Sequence, residues 1–101
     1  MQRVLSFTVN KKKYVSKPYD FETACVIDDA RFGGEKNGPL NLCRNAVDYM
    51  FQGTEATQEV IDTLETAVRV QLCNTVWQWY IDDLTVKNAA ARETGDQETE
   101  N

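Results

Sequence analysis

The sequence predicts an α+β fold in which a short N-terminal β-hairpin is followed by three to four α-helices, so that the chain is mostly helical. Apolar and polar residues alternate near the N-terminus, as in a strand with one buried face. Later segments instead repeat apolar residues every three or four positions, as amphipathic helices do. The 101 residues suit one core, and we expect a single globular domain over 3–86. Residues 87–101, KNAAARETGDQETEN, lack large apolar side chains and predict a disordered acidic tail.

The hairpin is predicted from the alternating segment RVLSFTV and from the turn that follows it. Asn10 and Lys11 are expected to form a two-residue turn, because Asn tolerates positive φ. In that register Phe7 faces Tyr14 across the two strands, and aromatic pairs of this kind stabilise a hairpin. The hairpin therefore presents one apolar face to the helices.

The first helix is predicted over FETACVIDDARF, with Asp20 as its N-cap. Its apolar residues recur at helical spacing, which predicts that one face of this helix is buried. That face comprises Phe21, Ala24, Cys25 and Phe32, flanked by Val26 and Ile27. Gly33 ends the helix, and GGEKNG is a linker, because no strand precedes these glycines and no G-K-[ST] follows them.

The second helix is predicted to begin at Pro39 and to end before Gly53. Its expected buried stripe comprises Leu40, Cys43, Ala46, Val47, Met50 and Phe51. Thr54 is expected to cap a short third segment, and Asp62 to restart the helix in a capping box with Glu65. Whether residues 54–84 form one helix or two stays open. The last helical stripe comprises Leu64, Val68, Leu72, Val76, Trp79 and Tyr80.

The segment TVWQWYIDDL, residues 75–84, carries more apolar residues than one helical face holds. Trp77, Ile81 and Leu84 project about 100° away from the stripe that contains Trp79. A small domain buries both sets only if this helix is central; otherwise the second set contacts a protein partner or another copy of the chain. Both interpretations stay open. The candidate partner-binding residues are Trp77, Ile81 and Leu84, with Met50 and Phe51 as further candidates.

Residue types that carry catalysis or hold cofactors are scarce. The chain has no His, which removes the usual general base and the commonest metal ligand. Its three cysteines, Cys25, Cys43 and Cys73, are widely separated and are expected to be buried free thiols. Two carboxylate pairs, Asp28 with Asp29 and Asp82 with Asp83, occupy adjacent helical positions and point in different directions. We expect a protein that is not an enzyme, with no metal and no cofactor.

The acidic charge excludes general nucleic-acid binding. The formal net charge is −5 with a pI near 4.6, whereas binding to phosphate backbones depends on Lys and Arg. The one basic run, residues 11–13, is expected to be a solvated turn. No segment reaches the roughly 18 apolar residues of a membrane span, and MQRVLSFTVN lacks the features of a signal peptide. We therefore expect a cytoplasmic protein without a membrane partner.

Several segments resemble one family of phage proteins. SFTVNKKKY, PYDFETACVIDD, AVDYMFQGT and VWQWY are similar to stretches of tail assembly chaperones, or chaperone-like proteins, of long-tailed phages and prophages of Gram-positive bacteria. The similarity spans about residues 3–84, and the turn departs from it, because Asn-Gly is commoner there than Asn-Lys. The resemblance implies a non-enzymatic protein that coats the hydrophobic, helical tape measure protein before the tail tube forms, often while self-associating. The family has no short site motif from which binding residues could be transferred.

Two other functions are compatible with the residues. One is a structural virion component, such as a minor tail or head-tail joining protein. The other is a small acidic regulator that occupies a basic surface of a host protein through its carboxylates and its tail. Those carboxylates are Asp28, Asp29, Asp82, Asp83 and the acidic residues between 93 and 101.

Overall fold

The computed structural model of this chain describes residues 3–33 and 38–94. Within those residues, an antiparallel two-stranded hairpin precedes four helices, and the predicted α+β class, mostly helical, is confirmed. The elements are β1 (Ser6–Val9), β2 (Lys12–Val15), α1 (Phe21–Gly33), α2 (Pro39–Phe51), α3 (Gln58–Asp62) and α4 (Thr66–Thr94).

The hairpin has the predicted turn and register. Asn10 and Lys11 adopt φ values of 50° and 67°, and the left-handed conformation of both residues matches the twist of the two strands. Phe7 pairs with Tyr14, and their rings stack with centroids 5.2 Å apart. Phe7 also lies 5.2 Å from the ring of Phe51, so the apolar face of the hairpin packs on the end of α2.

Hydrogen bonds continue the hairpin beyond its strands and attach it to α2. The Ser16 amide donates to the Leu5 carbonyl, and the Leu5 amide donates to the Ser16 hydroxyl, both at 2.8 Å. The Lys17 amide donates to the Met50 carbonyl at 2.9 Å. The hydroxyl of the buried Ser16 is therefore hydrogen-bonded. The Met50 carbonyl lies in the last turn of α2, where a helix offers no partner of its own, and it accepts from Lys17 instead.

Asp20 caps α1 as predicted, but the helix buries a different face from the one expected. One Asp20 carboxylate oxygen accepts from the Thr23 amide at 3.0 Å and from the Thr23 hydroxyl at 2.9 Å. Because its hydroxyl is paired, Thr23 can be fully buried, and Ile27, one turn further on, is buried beside it. Phe21 and Phe32 lie on the opposite side, 77% and 75% exposed, so the predicted core positions of these two phenylalanines are wrong.

Helix α2 lies between α1 and α4 and packs against both of them. Its buried residues are Leu42, Cys43, Ala46, Val47, Met50 and Phe51. This agrees with the predicted stripe except at Leu40, which is 45% exposed. Gly53 follows the helix with φ of 81°, a conformation that favours glycine and ends the element as expected.

Residues 54–84 form parts of two helices, which resolves the alternative left open by the sequence. Thr57 caps α3, its hydroxyl accepting from the Val60 amide at 3.4 Å, so the predicted cap at Thr54 is wrong. Asp62 is the last residue of α3 and not the cap of α4. Its carboxylate instead accepts from Gln58 at 2.9 Å, which leaves it outside the predicted capping box.

Helix α4 continues to Thr94 and so includes residues 87–94, the first part of the predicted tail. Residues 95–101 lie outside the described residues. The domain boundary near residue 86 stays a prediction. None of the described helices is long and apolar enough to cross a membrane.

The chain entering the hairpin is joined to α4 by one arginine. Arg3 donates to both carboxylate oxygens of Asp83, at 2.8 and 3.2 Å. Its guanidinium also lies 4.7 Å from the ring centroid of Tyr19 and 5.8 Å from that of Trp79. We call these four residues the Arg3 clasp. A bidentate pair that also contacts two aromatic rings is more strongly held than an ordinary surface ion pair.

A double-mutant cycle on Arg3→Ala and Asp83→Asn should give a coupling free energy of about 1 kcal/mol, measured by urea unfolding. The side chains are 36% and 37% exposed, so solvent screening keeps the value in this range. The matched control is Lys12 with Glu55, a 3.4 Å pair with side chains 53% and 76% exposed, where the coupling should be near zero. Equal coupling in the two cycles would contradict the role given to the clasp.

The corrected face of α1 is tested by two alanine substitutions. Ile27→Ala should lower the free energy of unfolding by about 3 kcal/mol, because the side chain is fully buried and its removal leaves a cavity. Phe21→Ala should change it by no more than about 0.5 kcal/mol, because the ring is 77% exposed. A larger loss of unfolding free energy for Phe21→Ala in urea titrations would mean that the face predicted from the sequence is the buried one.

Candidate partner-binding surface

The two tryptophans of α4 lie on opposite sides of its buried stripe. That stripe contains Val76, fully buried, and Tyr80, 3% exposed. Trp77 and Trp79 are both half-buried and pack against the edges of the core. What differs between them is the part of the chain that covers each ring.

Trp79 is covered by the N-terminal part of the chain. Its ring centroid lies 5.6 Å from that of Tyr19, and the guanidinium of Arg3 lies beside both rings. Tyr19 is itself buried, with its amide donating to the Arg3 carbonyl at 2.7 Å. Trp79 is thus part of the Arg3 clasp.

Trp77 lies beside the junction of α1 and α4. Its ring centroid is 5.6 Å from that of Tyr80. The Tyr80 hydroxyl donates to Asp28 at 3.0 Å and accepts from Arg31 at 3.2 Å. Arg31 also lies 5.2 Å from the ring of Phe32, so this exposed phenylalanine is joined to the aromatic part of α4 through one guanidinium.

Three of the five candidate partner-binding residues reach the surface. Trp77 and Ile81 are half-buried, and Leu84 is 39% exposed. They lie at i, i+4 and i+7 on one side of α4, and we call them the α4 surface. Each is at least partly accessible, and together they extend over about two turns of the helix.

Met50 and Phe51 do not belong to such a surface, and their inclusion among the candidates is corrected. They are 0% and 1% exposed. The hairpin covers them, with the ring of Phe7 on Phe51 and the Lys17 amide on the Met50 carbonyl. In this conformation their side chains have no area to offer a partner.

Exposed apolar residues that the sequence did not identify lie next to the α4 surface. Leu40 lines a groove of about 250 Å³ between α2 and α4, together with Val70 and Cys73. Trp77 follows Cys73 by one helical turn on the same side of α4. Phe32 lies on α1, where the Arg31 guanidinium is 5.2 Å from its ring centroid and 6.0 Å from that of Tyr80. No periodicity could have found Leu40 or Phe32, because both fit the buried stripes that were predicted for their own helices.

The carboxylate pairs are divided between different partners. Asp28 accepts from Tyr80, and Asp83 binds Arg3 in the clasp. Asp82 accepts from Gln78 at 2.9 Å, and Asp29 is exposed. Neither pair converges on a common point, as the helical spacing predicted. In the part of the chain that the structure describes, no group of three or more His, Cys, Asp or Glu residues is arranged to hold a metal ion.

A cavity of about 710 Å³ opens between α2 and the segment that leads into α3. Phe51, Ala56 and Ile61 line it, and Asp48 and Asn45 supply polar groups. Burial raises the pKa of Asp48, while Arg69 and Arg44 oppose that shift. Asp48 therefore lies near two basic side chains, Arg44 and Arg69. None of the described residues that line the cavity is a cysteine, serine or lysine.

The thiols are free, and two of the three are buried as predicted. Cys43 and Cys73 are buried, whereas Cys25 is half-buried on α1, so the expectation of burial is wrong for Cys25. Burial raises the pKa of the Cys43 thiol to about 12. The buried thiols are thus protonated near neutral pH and act as small apolar groups.

Comparisons with family models, with curated proteins and with solved structures found no match to this chain.

The Tyr19 hydroxyl is buried without a hydrogen-bond partner among the described residues. Burial raises the pKa of Tyr19 from 10.0 to about 12, with Asp83 acting in the same direction and Arg3 against it. Between those two pH values the folded protein retains a proton that the unfolded chain has lost. Stability should therefore fall as pH rises through this window.

Tyr19→Phe should leave the free energy of unfolding at neutral pH unchanged or slightly higher, because the hydroxyl that is removed has no partner. Between pH 10.0 and about 12 it should lose less stability than the wild type, by an amount on the order of 2 kcal/mol. Urea titrations of both proteins at several alkaline pH values measure this. Parallel losses in the two proteins would contradict it.

Proposed function

We propose that this chain is a non-enzymatic binding protein of the phage tail assembly chaperone type. It holds an apolar, helical segment of a tape measure protein, or of another tail protein, and self-association is a second use of the same surface. One observation carries the proposal: the described residues, 3–33 and 38–94, leave Trp77, Ile81 and Leu84 at least partly accessible on the α4 surface.

The spacing of these residues supports a helical partner. Positions i, i+4 and i+7 extend over about 10 Å of one helix side, the length at which two helices pack their side chains together. Trp77 supplies a large, partly covered ring, and tryptophan is among the residues that contribute most to protein interfaces. Leu40 and its groove with Val70 extend the apolar area toward α2.

The charge of the chain supports a chaperone role. The formal net charge of −5 opposes aggregation of copies that expose aromatic residues. A helix bound to the α4 surface would share this protection, because the apolar side of that helix would be covered and the complex would stay acidic. The sequence resemblance over residues 3–84 suggests the same role independently.

The experiment is co-expression with a fragment of the tape measure protein from the same genome, followed by affinity measurement on the purified complex. Trp77→Ala and Leu84→Gln should each weaken binding by about tenfold or more, because each removes apolar contact area at the interface. Circular dichroism should show unchanged helicity for both variants. The matched control is Gln78→Ala, a change at an exposed neighbour on the same helix that should leave the affinity unchanged.

Two results would overturn the proposal. If neither the tape measure fragment nor a second copy of the chain binds the wild-type protein, the α4 surface has no partner of the proposed kind. If Trp77→Ala unfolds the chain while Leu84→Gln binds normally, Trp77 belongs to the core. Leu84 keeps the test decisive, because its side chain is 39% exposed and its substitution should not unfold the protein.

A further inference from the structure

The outer face of α1 carries an aromatic stripe that the α4 surface does not include. It consists of Phe21, Cys25 and Phe32, which we call the α1 stripe. Helical geometry places these three within about 40° of one another and roughly opposite the buried Thr23 and Ile27. The stripe therefore points directly away from the core.

Exposure on this scale is unusual for phenylalanine. Phe21 and Phe32 are 77% and 75% exposed, whereas burying such a side chain stabilises a protein by about 2 kcal/mol. They are separated by three helical turns, or about 16 Å, with Cys25 between them. Two aromatic side chains in line along one helix give a partner helix two points of apolar contact.

The charges beside the stripe are unevenly compensated. Asp28 and Arg31 both bond to the hydroxyl of Tyr80 and so offset each other. Glu22 and Asp29 are exposed and form no ion pair within the described part of the chain. Both lie on the side of the stripe away from Arg31. The stripe is thus bordered by two carboxylates that have no cationic partner among the residues the structure describes.

The pKa of Cys25 is affected by the same carboxylates. Partial burial raises the pKa of its thiol, and the carboxylates of Glu22, Asp29 and Asp28 raise it further. The thiol is protonated near neutral pH and extends the apolar contact between the two rings. A partner that binds this face must therefore cover apolar side chains and place positive charge beside the carboxylates.

We propose that the α1 stripe binds an amphipathic helix of a partner protein that packs apolar side chains on Phe21 and Phe32 and places Lys or Arg beside Glu22 and Asp29. This rests on the proposed function, since the partner is again helical, and it adds a second surface and the charge of the helix. A second copy is a poorer occupant. Its basic run, residues 11–13, lies in the turn and the first residues of β2 and is therefore not helical, and two facing α1 stripes would bring like charges together.

The probe is a designed helical peptide of about 18 residues with leucine on one face and lysine beside it, labelled for fluorescence anisotropy. A peptide with glutamate in place of lysine is the matched probe. The wild-type chain should bind the lysine peptide at least about tenfold more tightly, and added salt should reduce that difference.

Two double variants locate the binding site. Phe21→Gln with Phe32→Gln should weaken binding of the lysine peptide about tenfold. Glu22→Gln with Asp29→Asn should abolish most of the preference for lysine over glutamate. The control for net charge is Glu59→Gln with Glu65→Gln, which neutralises two exposed carboxylates elsewhere and should preserve the preference.

Alkylation of Cys25 gives a second readout, which locates the bound peptide. At mildly alkaline pH, where part of the thiol is ionised, Cys25 should react with iodoacetamide in the free protein and be protected several-fold by the lysine peptide, as measured by peptide mass spectrometry. The buried Cys43 and Cys73 serve as internal controls and should react slowly in both states. Peptide binding without protection of Cys25 would overturn the assignment to the α1 stripe.

The outcomes separate this inference from the proposed function. If Trp77→Ala abolishes peptide binding while the two α1 variants bind normally, the α4 surface binds helices and the α1 stripe does not. The Glu59 and Glu65 control variant could also lose its preference for lysine over glutamate as much as the Glu22 and Asp29 variant does. Net charge alone would then attract the lysine peptide, and the inference would be overturned. If the α1 variants fail to bind but the tape measure fragment never binds the wild type, the stripe stands and the proposed function falls.

Discussion

The position of α2 between α1 and α4 determines which apolar residues remain at the surface. Six of its thirteen residues are buried, and it packs against both neighbours. Each neighbour therefore uses one side for the core and keeps its other side exposed. The aromatic richness of α4 made it the natural candidate for the central helix, but α2 has that place. The exposed Trp77 edge and the exposed face of α1 follow from this arrangement.

The N-terminal part of the chain makes the two tryptophans inequivalent. A two-stranded hairpin is marginal by itself, and here it is held by Phe7 on Phe51 and by the Lys17 amide on α2. The segment before it carries Arg3 to α4, where it covers Trp79. No corresponding segment in the described chain covers Trp77. Trp79 thus connects the N-terminal segment to α4, while Trp77 has a half-buried ring with part of its surface accessible.

Local signals in the sequence predicted local structure well. The Asn10 turn, the Asp20 cap and the end of α2 before Gly53 depend on residues a few positions apart, so their physical causes are visible in the sequence. The buried face of α1 depends on what α2 presents to it, which no local pattern contains. Placing Phe21 and Phe32 in the core selected the wrong side. Thr23 is buried instead, because Asp20 accepts a hydrogen bond from its hydroxyl.

The candidate surface was predictable to a similar extent. The excess of apolar residues around α4 was readable from spacing alone, but the spacing left open whether the second set is buried. Trp77 and Ile81 are half-buried and Leu84 is 39% exposed. Met50 and Phe51 were misplaced because an apolar pair near a helix end has the same pattern whether a hairpin covers it or not. Affinity at such surfaces comes from apolar area, whereas discrimination between partners comes from charge. The carboxylates that border Phe21 and Phe32 are therefore the feature that distinguishes a basic helix from every other apolar one.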